Sequence, residues 1–225
     1  MENVFPLYKP KGPTSFAMIA QLRRILGVKK IGHAGTLDPL AEGVLVVAVG
    51  RDGTKQLTGL IRKEKEYVAT IKLGVISSTD DEEGEKSEQE VAEKPKAQVV
   101  KNVLKQFVGE IDQVPPIFSA LKIKGKPAYK YARAGKEIKM EARKVKIDKI
   151  ELLKYKWPEL KIRVVCGSGV YIRSLARDIG HALSVGGYLI GLTRTRVGNF
   201  TLEKCVSLEQ LTADAVPPVL NTEPR

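Results

Sequence analysis

The least ordinary stretch of the chain is residues 32–43, GHAGTLDPLAEG, which sets a histidine, an aspartate and a proline among three glycines. Asp38 directly precedes Pro39, whose ring biases the residue before it toward extended backbone, so its carboxylate projects from a stiff turn. Such a carboxylate can serve as a nucleophile or a base. It can equally do no more than hydrogen-bond its own turn, and local sequence leaves both readings open. A second unusual cluster is residues 166–173, CGSGVYIR, where two glycines separate a strand end from a helix start and Arg173 falls in the first turn of the helix. Cations are disfavoured there because the macrodipole is positive, so an arginine at that point suggests a specific carboxylate or phosphate partner. A surface arginine without a role is the alternative.

The elements that must position these groups alternate between helix and strand. The spacing of Phe16, Ile19, Leu22 and Leu26 predicts a helix over 16–26, capped by Thr14 or Ser15 and ended by Gly27. The continuous apolar run 43–49, GVLVVAV, reads as a strand buried on both faces. In 66–73 a period of two places Tyr67, Ala69, Ile71 and Leu73 on one side of a strand, with Tyr67 facing inward or into a cleft. Further helices are expected at 97–108 and 170–184, strands at 144–153, 160–166 and 187–198, and a short helix from Ser207. The order is α+β rather than a strict βαβ alternation.

With 225 residues, 43% hydrophobic and 28% charged, the chain has the composition of an ordinary soluble globular protein and not of a disordered or fibrous one. Its 38 Lys and Arg against 26 Asp and Glu point to a polyanionic partner. The charge is uneven. Residues 80–93 hold eight acids and one Lys and read as a solvated loop at a sheet edge, whereas residues 120–150 hold eleven Lys or Arg against three acids, interleaved with Tyr129 and Tyr131. Basic residues among aromatics suit a phosphate backbone with stackable bases. No run is apolar enough to span a membrane and no leader is evident, so a cytoplasmic protein is expected. Two distant cysteines and two histidines offer no disulfide framework and no metal spacing, and no nucleotide-binding glycine motif occurs. No cofactor and no metal are expected.

Six segments together resemble one family, the TruB-type tRNA pseudouridine-55 synthases: KPKGPTS at 9–15, GHAGTLDPLAEGVL at 32–45, EYVATIKLG at 66–74, PPIFSALKIKGKPAYKYAR at 115–133, CGSGVYIRSLARDIG at 166–180 and LTRTRVGNF at 192–200. They span nearly the whole chain in the family's order. The resemblance implies the pseudouridine synthase fold, an α+β architecture with a mixed, mainly antiparallel sheet flanked by helices and a catalytic cleft across it. It also implies isomerisation of uridine to pseudouridine in the TΨC arm of tRNA, with the base flipped out of its loop. On that resemblance Asp38 is the catalytic aspartate, Tyr67 the aromatic against the target base and Arg173 the arginine that pairs with the aspartate. His33 matches the histidine implicated in flipping the nucleotide, and Tyr171 and Leu192 match residues lining the uracil pocket. Lys9 and Pro10 support the catalytic loop. Lys122, Lys124, Lys126, Lys130 and Arg133 lie in a loop, within about 120–143, that closes over the RNA and is poorly ordered or open without it.

The catalytic domain is expected to occupy 1–212, with a tail at 213–225. Relatives usually continue into a small RNA-binding module of the PUA type, and the roughly 25 residues after Phe200 are too few for one. Either the protein lacks it or the chain is a piece of a longer one. The expected partner is the T arm of tRNA, with no protein partner and a monomeric state. Two other readings stand beside the enzyme: an RNA-binding or RNA-folding protein on the same scaffold, and a guide-dependent rRNA pseudouridine synthase. The presence of Asp38, Tyr67 and Arg173 together favours a catalyst. If the basic segment grips phosphates, replacing Lys122, Lys126 and Lys130 by glutamine reduces the slope of log K against log salt for tRNA binding by about 2 to 3. Filter binding over a salt series measures this, and an unchanged slope refutes it.

Overall fold

The computed structural model describes residues 3–211 apart from 120, 124 and 135–137, and only the backbone of Tyr129 and Arg133. The expected tail at 213–225 and Lys124 lie outside the described residues. The elements in chain order are β1 (Val4–Lys9), α1 (Ser15–Leu26), β2 (Ile31–Ala34), β3 (Ala41–Val49), α2 (Gly50–Lys55), α3 (Leu57–Ile61), β4 (Lys65–Leu73), β5 (Val75–Ser77) and β6 (Lys86–Glu88). Then come α4 (Ala97–Gln106), β7 (Gly109–Gln113), β8 (Lys122–Ile123), β9 (Lys126–Pro127), α5 (Ala128–Arg133), β10 (Arg143–Lys156), β11 (Glu159–Cys166), α6 (Ile172–Ala182), β12 (Gly187–Val197) and β13 (Phe200–Thr201). The mixture is α+β, as the resemblance implies. The chain divides into two compact units, one formed by the chain up to Val68 together with the chain from Leu192 on, the other by Ala69–Gly191.

In the first unit β3 is the organising strand. It pairs antiparallel with β1, from Val4 opposite Ala48 to Lys9 opposite Gly43, and antiparallel with β2, where His33 lies opposite Val47. At its start it pairs parallel with the second half of β12, with Leu192, Thr193 and Arg194 against Ala41, Glu42 and Gly43. Both faces of β3 are covered, as its uninterrupted apolar run predicts. Leu45, Val47 and Val49 join Phe5, Leu7, Met18, Ile19, Leu22 and Ile31 on one side. Val44, Val46 and Ala48 join Val4, Ala34 and Val197 on the other, with Leu57, Leu60 and Phe200 packed alongside.

Helix α1 begins at the expected place: Thr14 takes the cap, its hydroxyl accepting from the Ala17 amide at 3.0 Å, and Gly27 ends the helix in the left-handed region at φ 66°. Its buried face differs from the expected stripe. Ser15, Met18, Ile19 and Leu22 point inward, while Phe16 is 69% exposed. The inward position of the first turn is taken by Ser15, whose hydroxyl has a main-chain partner on residue 37; its neighbour Phe16, about 100° round the helix, must face out.

In the second unit the strands run in the order β12, β4, β11, β10, β7. The ladders of β10 with β11 and with β7 are antiparallel. Helix α4 lies against β10 and α6 through its buried Val100, Val103 and Leu104. Alternation along β4 buries Tyr67, Ala69, Ile71 and Leu73, as read from the sequence. Helix α6 is shorter at both ends than the periodicity suggests. The expected helix from Ser207 is turn over its described residues, and a single 3-10 turn falls earlier, at Leu202–Lys204. The basic segment carries local structure of its own: β8 and β9 pair as a short ribbon that leads into α5.

Two glycines separate conformational from steric demands. Gly27 needs a positive φ but has open space around a Cβ, whereas Gly43 has φ +106° and a Cβ there would stand 2.3 Å from the carbonyl oxygen of Arg194. Gly27→Ala should therefore cost about 1 kcal/mol, the left-handed penalty alone. Gly43→Ala should cost at least twice that, roughly 2–4 kcal/mol, since backbone must also move. Denaturant midpoints of the two variants test this ordering.

Candidate active site

The segment carrying Asp38 is held through its main chain. The Ser15 hydroxyl, almost wholly buried, donates to the Leu37 carbonyl at 3.0 Å and accepts from the Leu37 amide at 2.9 Å. The Gly12 amide donates to the Pro39 carbonyl at 2.8 Å, and the Ala41 amide closes the turn on the Asp38 carbonyl at 3.0 Å. The Lys9 ammonium, buried at the end of β1, donates to the Ala41 carbonyl at 2.5 Å and to the Pro10 carbonyl at 3.1 Å. From β12, Arg194 donates to the carbonyls of Gly35 and Val44 at 3.0 and 2.7 Å. The sequence predicts a stiff turn from Pro39 alone; the structure adds buried polar side chains from three other elements.

Burial pushes the Lys9 ammonium down to about 8; Asp38 and, more weakly, Glu42 oppose this, and Arg194 adds to it. Asp38 is thus close enough for its charge to act on Lys9. Glu42, the acid nearest to Asp38 in sequence, is engaged elsewhere: Tyr8 and Thr193 donate to its two oxygens, each at 3.0 Å. His33 stands on β2 with Nδ1 buried and lacking a hydrogen-bond partner among the described residues. Burial and the Arg194 charge lower its pKa, so it is neutral near pH 7. Leu192 is the register partner of Ala41. Tyr67 is buried on β4, beside Glu66, whose carboxylate accepts from Thr195 of β12 at 2.7 Å. Lys9, Asp38, Tyr67, His33 and Leu192 therefore all belong to the first unit.

Arg173, Tyr171 and the basic segment belong to the second unit. Arg173 is buried in the first turn of α6 and has the specific carboxylate partner that its place on the helix suggests: Asp81, 3.3 Å away, with the Phe118 carbonyl at 2.9 Å. Asp81 is further fixed by the Thr79 hydroxyl. Beside it, Arg177 pairs with Asp80 at 2.8 Å and donates to the Val114 carbonyl at 2.9 Å. This corrects the reading of residues 80–93 as a solvated loop. The first two acids of that run are buried on arginines, and only the residues after them are largely exposed. The reason is that α6 presents two arginines, one turn apart, whose charge needs compensation.

Tyr171 is pinned through its main chain by the side chain of Gln113, which accepts from the Tyr171 amide at 2.8 Å and donates to its carbonyl at 3.1 Å. Gln113, Asp80, Asp81 and Arg177 were not singled out from sequence. The signal available was a pair of arginines four apart at a helix start, which calls for two acids. Lys122, Lys126 and Lys130 stand on β8, β9 and α5, Lys130 exposed, and Arg133 closes α5; of its side chain nothing is described.

Comparison with known proteins bears on what these residues serve. Residues 23–172 match the family described as TruB family pseudouridylate synthase (N terminal domain), and residues 173–217 match the tRNA pseudouridylate synthase B C-terminal domain. The chain belongs to the TruB family. The tRNA pseudouridine synthase B of Phocaeicola vulgatus is 48% identical over 207 residues, covering 89% of this chain and 88% of that one. That of Clostridium tetani is 42% identical over 216 residues, covering 96% and 74%. Among solved structures, the Cbf5-Nop10-Gar1 complex matches with a TM-score of 0.72 and 34% identity over 92% of this chain. The chain spans about half, 52%, of that protein's matched chain. Among the described residues no helix is long and apolar enough to cross a membrane.

Within this TruB-family fold the buried Lys9 gives a stability signature. Its folded pKa lies below its unfolded value, so the unfolded chain holds more protons between about pH 8 and pH 10, and stability from this group rises with pH through that window. Relative to Lys9→Met, the wild-type chain should gain stability between pH 8 and pH 10 in urea unfolding. A difference that stays flat or falls would contradict a desolvated ammonium.

Proposed function

We propose that the chain isomerises uridine to pseudouridine at position 55 in the T arm of tRNA, with Asp38 as the catalytic carboxylate. The observation that carries the reading is the set of main-chain anchors on Gly35, Leu37, Pro39 and Ala41, which fix the backbone on both sides of Asp38. A group held in this way loses little entropy on meeting its target, and that is where positioning lowers a barrier. Relatives covering most of the chain at 42–49% identity, all named tRNA pseudouridine synthase B, support tRNA as the substrate over the guide-dependent alternative.

The reaction breaks the bond from N1 of uracil to C1′ of ribose, turns the base and joins C5 to C1′. The proton on C5 leaves and N1 gains one, so no redox change occurs. Asp38 acts on the ribose or the uracil, or assists formation of a glycal. Tyr67, with its ring buried on β4, stacks on the base and serves in proton transfer. Arg173, its guanidinium held by Asp81 and the Phe118 carbonyl, is the cation that the resemblance assigns to the catalytic aspartate. Tyr171 and Leu192 line the uracil pocket, and neutral His33 takes part in nucleotide flipping. Extruding the base costs a few kcal/mol of stacking, which contacts from the basic segment to phosphates offset.

Release of tritium from T-arm RNA labelled at uridine C5 measures this reaction directly. Asp38→Asn should abolish release while tRNA binding stays within about threefold, since the change removes one charge and leaves the anchored main chain in place. Turnover retained by that variant, or none in the wild-type protein, would overturn the proposal.

A further inference from the structure

Arg194, one of the anchors of the Asp38 segment, heads the fully buried side chains in size among the described residues, with 1% of its surface exposed. Its neighbour on the same strand, Arg196, behaves ordinarily, pairing with Glu64 at 2.6 Å and remaining partly exposed. The described partners of Arg194 are main-chain carbonyls: Nε donates to Val44 at 2.7 Å and Nη2 to Gly35 at 3.0 Å. Burying a guanidinium against carbonyls sacrifices hydration, and its planar fork can hold two acceptors in a geometry that a small apolar residue could not.

The chain is shaped around it. Gly43 has φ +106° and leaves room for the Arg194 main chain, which is its parallel register partner. Gly35 has φ +81°, and a Cβ there would stand 3.3 Å from Nη1. The guanidinium thus reaches from β12 across Gly43 to both flanks of the segment that carries Asp38. Of the anchoring side chains, Ser15 grips one residue inside the segment and Lys9 its C-terminal side, while Arg194 holds both ends.

We propose that Arg194 is a positioning residue for the isomerisation, setting the path of residues 35–44 and with it the place of the Asp38 carboxylate. The inference rests on the proposed function. Its Nε and Nη2 serve two carbonyls nine residues apart, which the single ammonium of a lysine cannot do with the same geometry. The segment is also held at Leu37 and Pro39, so loss of Arg194 shifts the carboxylate without detaching the loop. The reaction should then slow while RNA contacts made by other elements persist.

The test uses single-turnover tritium release from C5-labelled tRNA, filter binding of the same tRNA and thermal melting, for the wild type, Arg194→Lys and Arg194→Met. The maximal rate of Arg194→Met should fall about a hundredfold, the order of loss expected from a displacement near 1 Å, with its tRNA Kd within about threefold. Arg194→Lys should recover about tenfold of that rate by keeping one carbonyl bond. Loss confined to tRNA affinity, a wild-type rate in either variant, or a lysine variant no faster than a folded methionine variant would overturn the assignment. Should Arg194→Met fail to fold, Arg194→Lys decides: a slowed maximal rate at unchanged Kd supports the role, and a rate equal to wild type refutes it. A wild-type protein that releases no tritium is a failure of the proposed function itself, and the wild-type control separates the two.

Discussion

The arrangement around Asp38 depends on one constraint: a short, glycine-rich segment is fixed in space by hydrogen bonds to its main chain from groups that are themselves buried. Ser15, Lys9 and Arg194 arrive from α1, β1 and β12 and take up the carbonyls or amides at Leu37, Ala41, Gly35 and Val44. A loop with free main-chain groups would exchange them with water and sample many conformations. Here each neutral bond contributes about 1 kcal/mol, and those from charged donors roughly 1.5–3, and with Leu37 and Leu40 buried as well the segment is stiff.

The same choice of donors explains the electrostatics. Two cations, Lys9 and Arg194, are withdrawn from water beside the segment, and their descent into low dielectric is visible in the lowered Lys9 pKa. Arg194 also helps to keep His33 neutral. Under the function proposed above, this local positive charge would offset repulsion between the Asp38 carboxylate and RNA phosphates. In the second unit the logic is reversed. There the cations stand at the start of α6, against the helix dipole, and Asp80 and Asp81 are buried to compensate them. The positive φ of Asp80, 61°, allows the two adjacent carboxylates to serve two arginines.

Structural rigidity beneath the segment comes from β3. Six consecutive residues, Val44–Val49, have no exposed surface, and alternate residues feed two separate apolar clusters. A strand packed on both faces cannot shift register without moving its neighbours, so the point at which the Asp38 segment enters it is fixed. Gly43 at that entry is where the strand must accept the parallel approach of β12.

Much of this was legible in the sequence because it is encoded locally. The apolar run at 43–49, the alternation at 66–73, and the cap and stop of α1 at Thr14 and Gly27 depend on residues near one another in the chain, and the structure forms them where periodicity and turn chemistry place them. Asp38 and Arg173 also stood out locally, one before a proline and the other on the wrong end of a helix. What the sequence left undecided was every pairing made at long range. That Ser15 rather than Phe16 faces inward, that two acids of a charged run are buried, and that Arg194 rather than Arg196 is wholly enclosed are settled by which partner the folded chain brings within hydrogen-bonding or ion-pair distance. A hydrogen bond or ion pair depends on distance and direction between residues up to 159 positions apart. Composition and spacing along the chain carry no record of that distance, so tertiary structure alone could decide it.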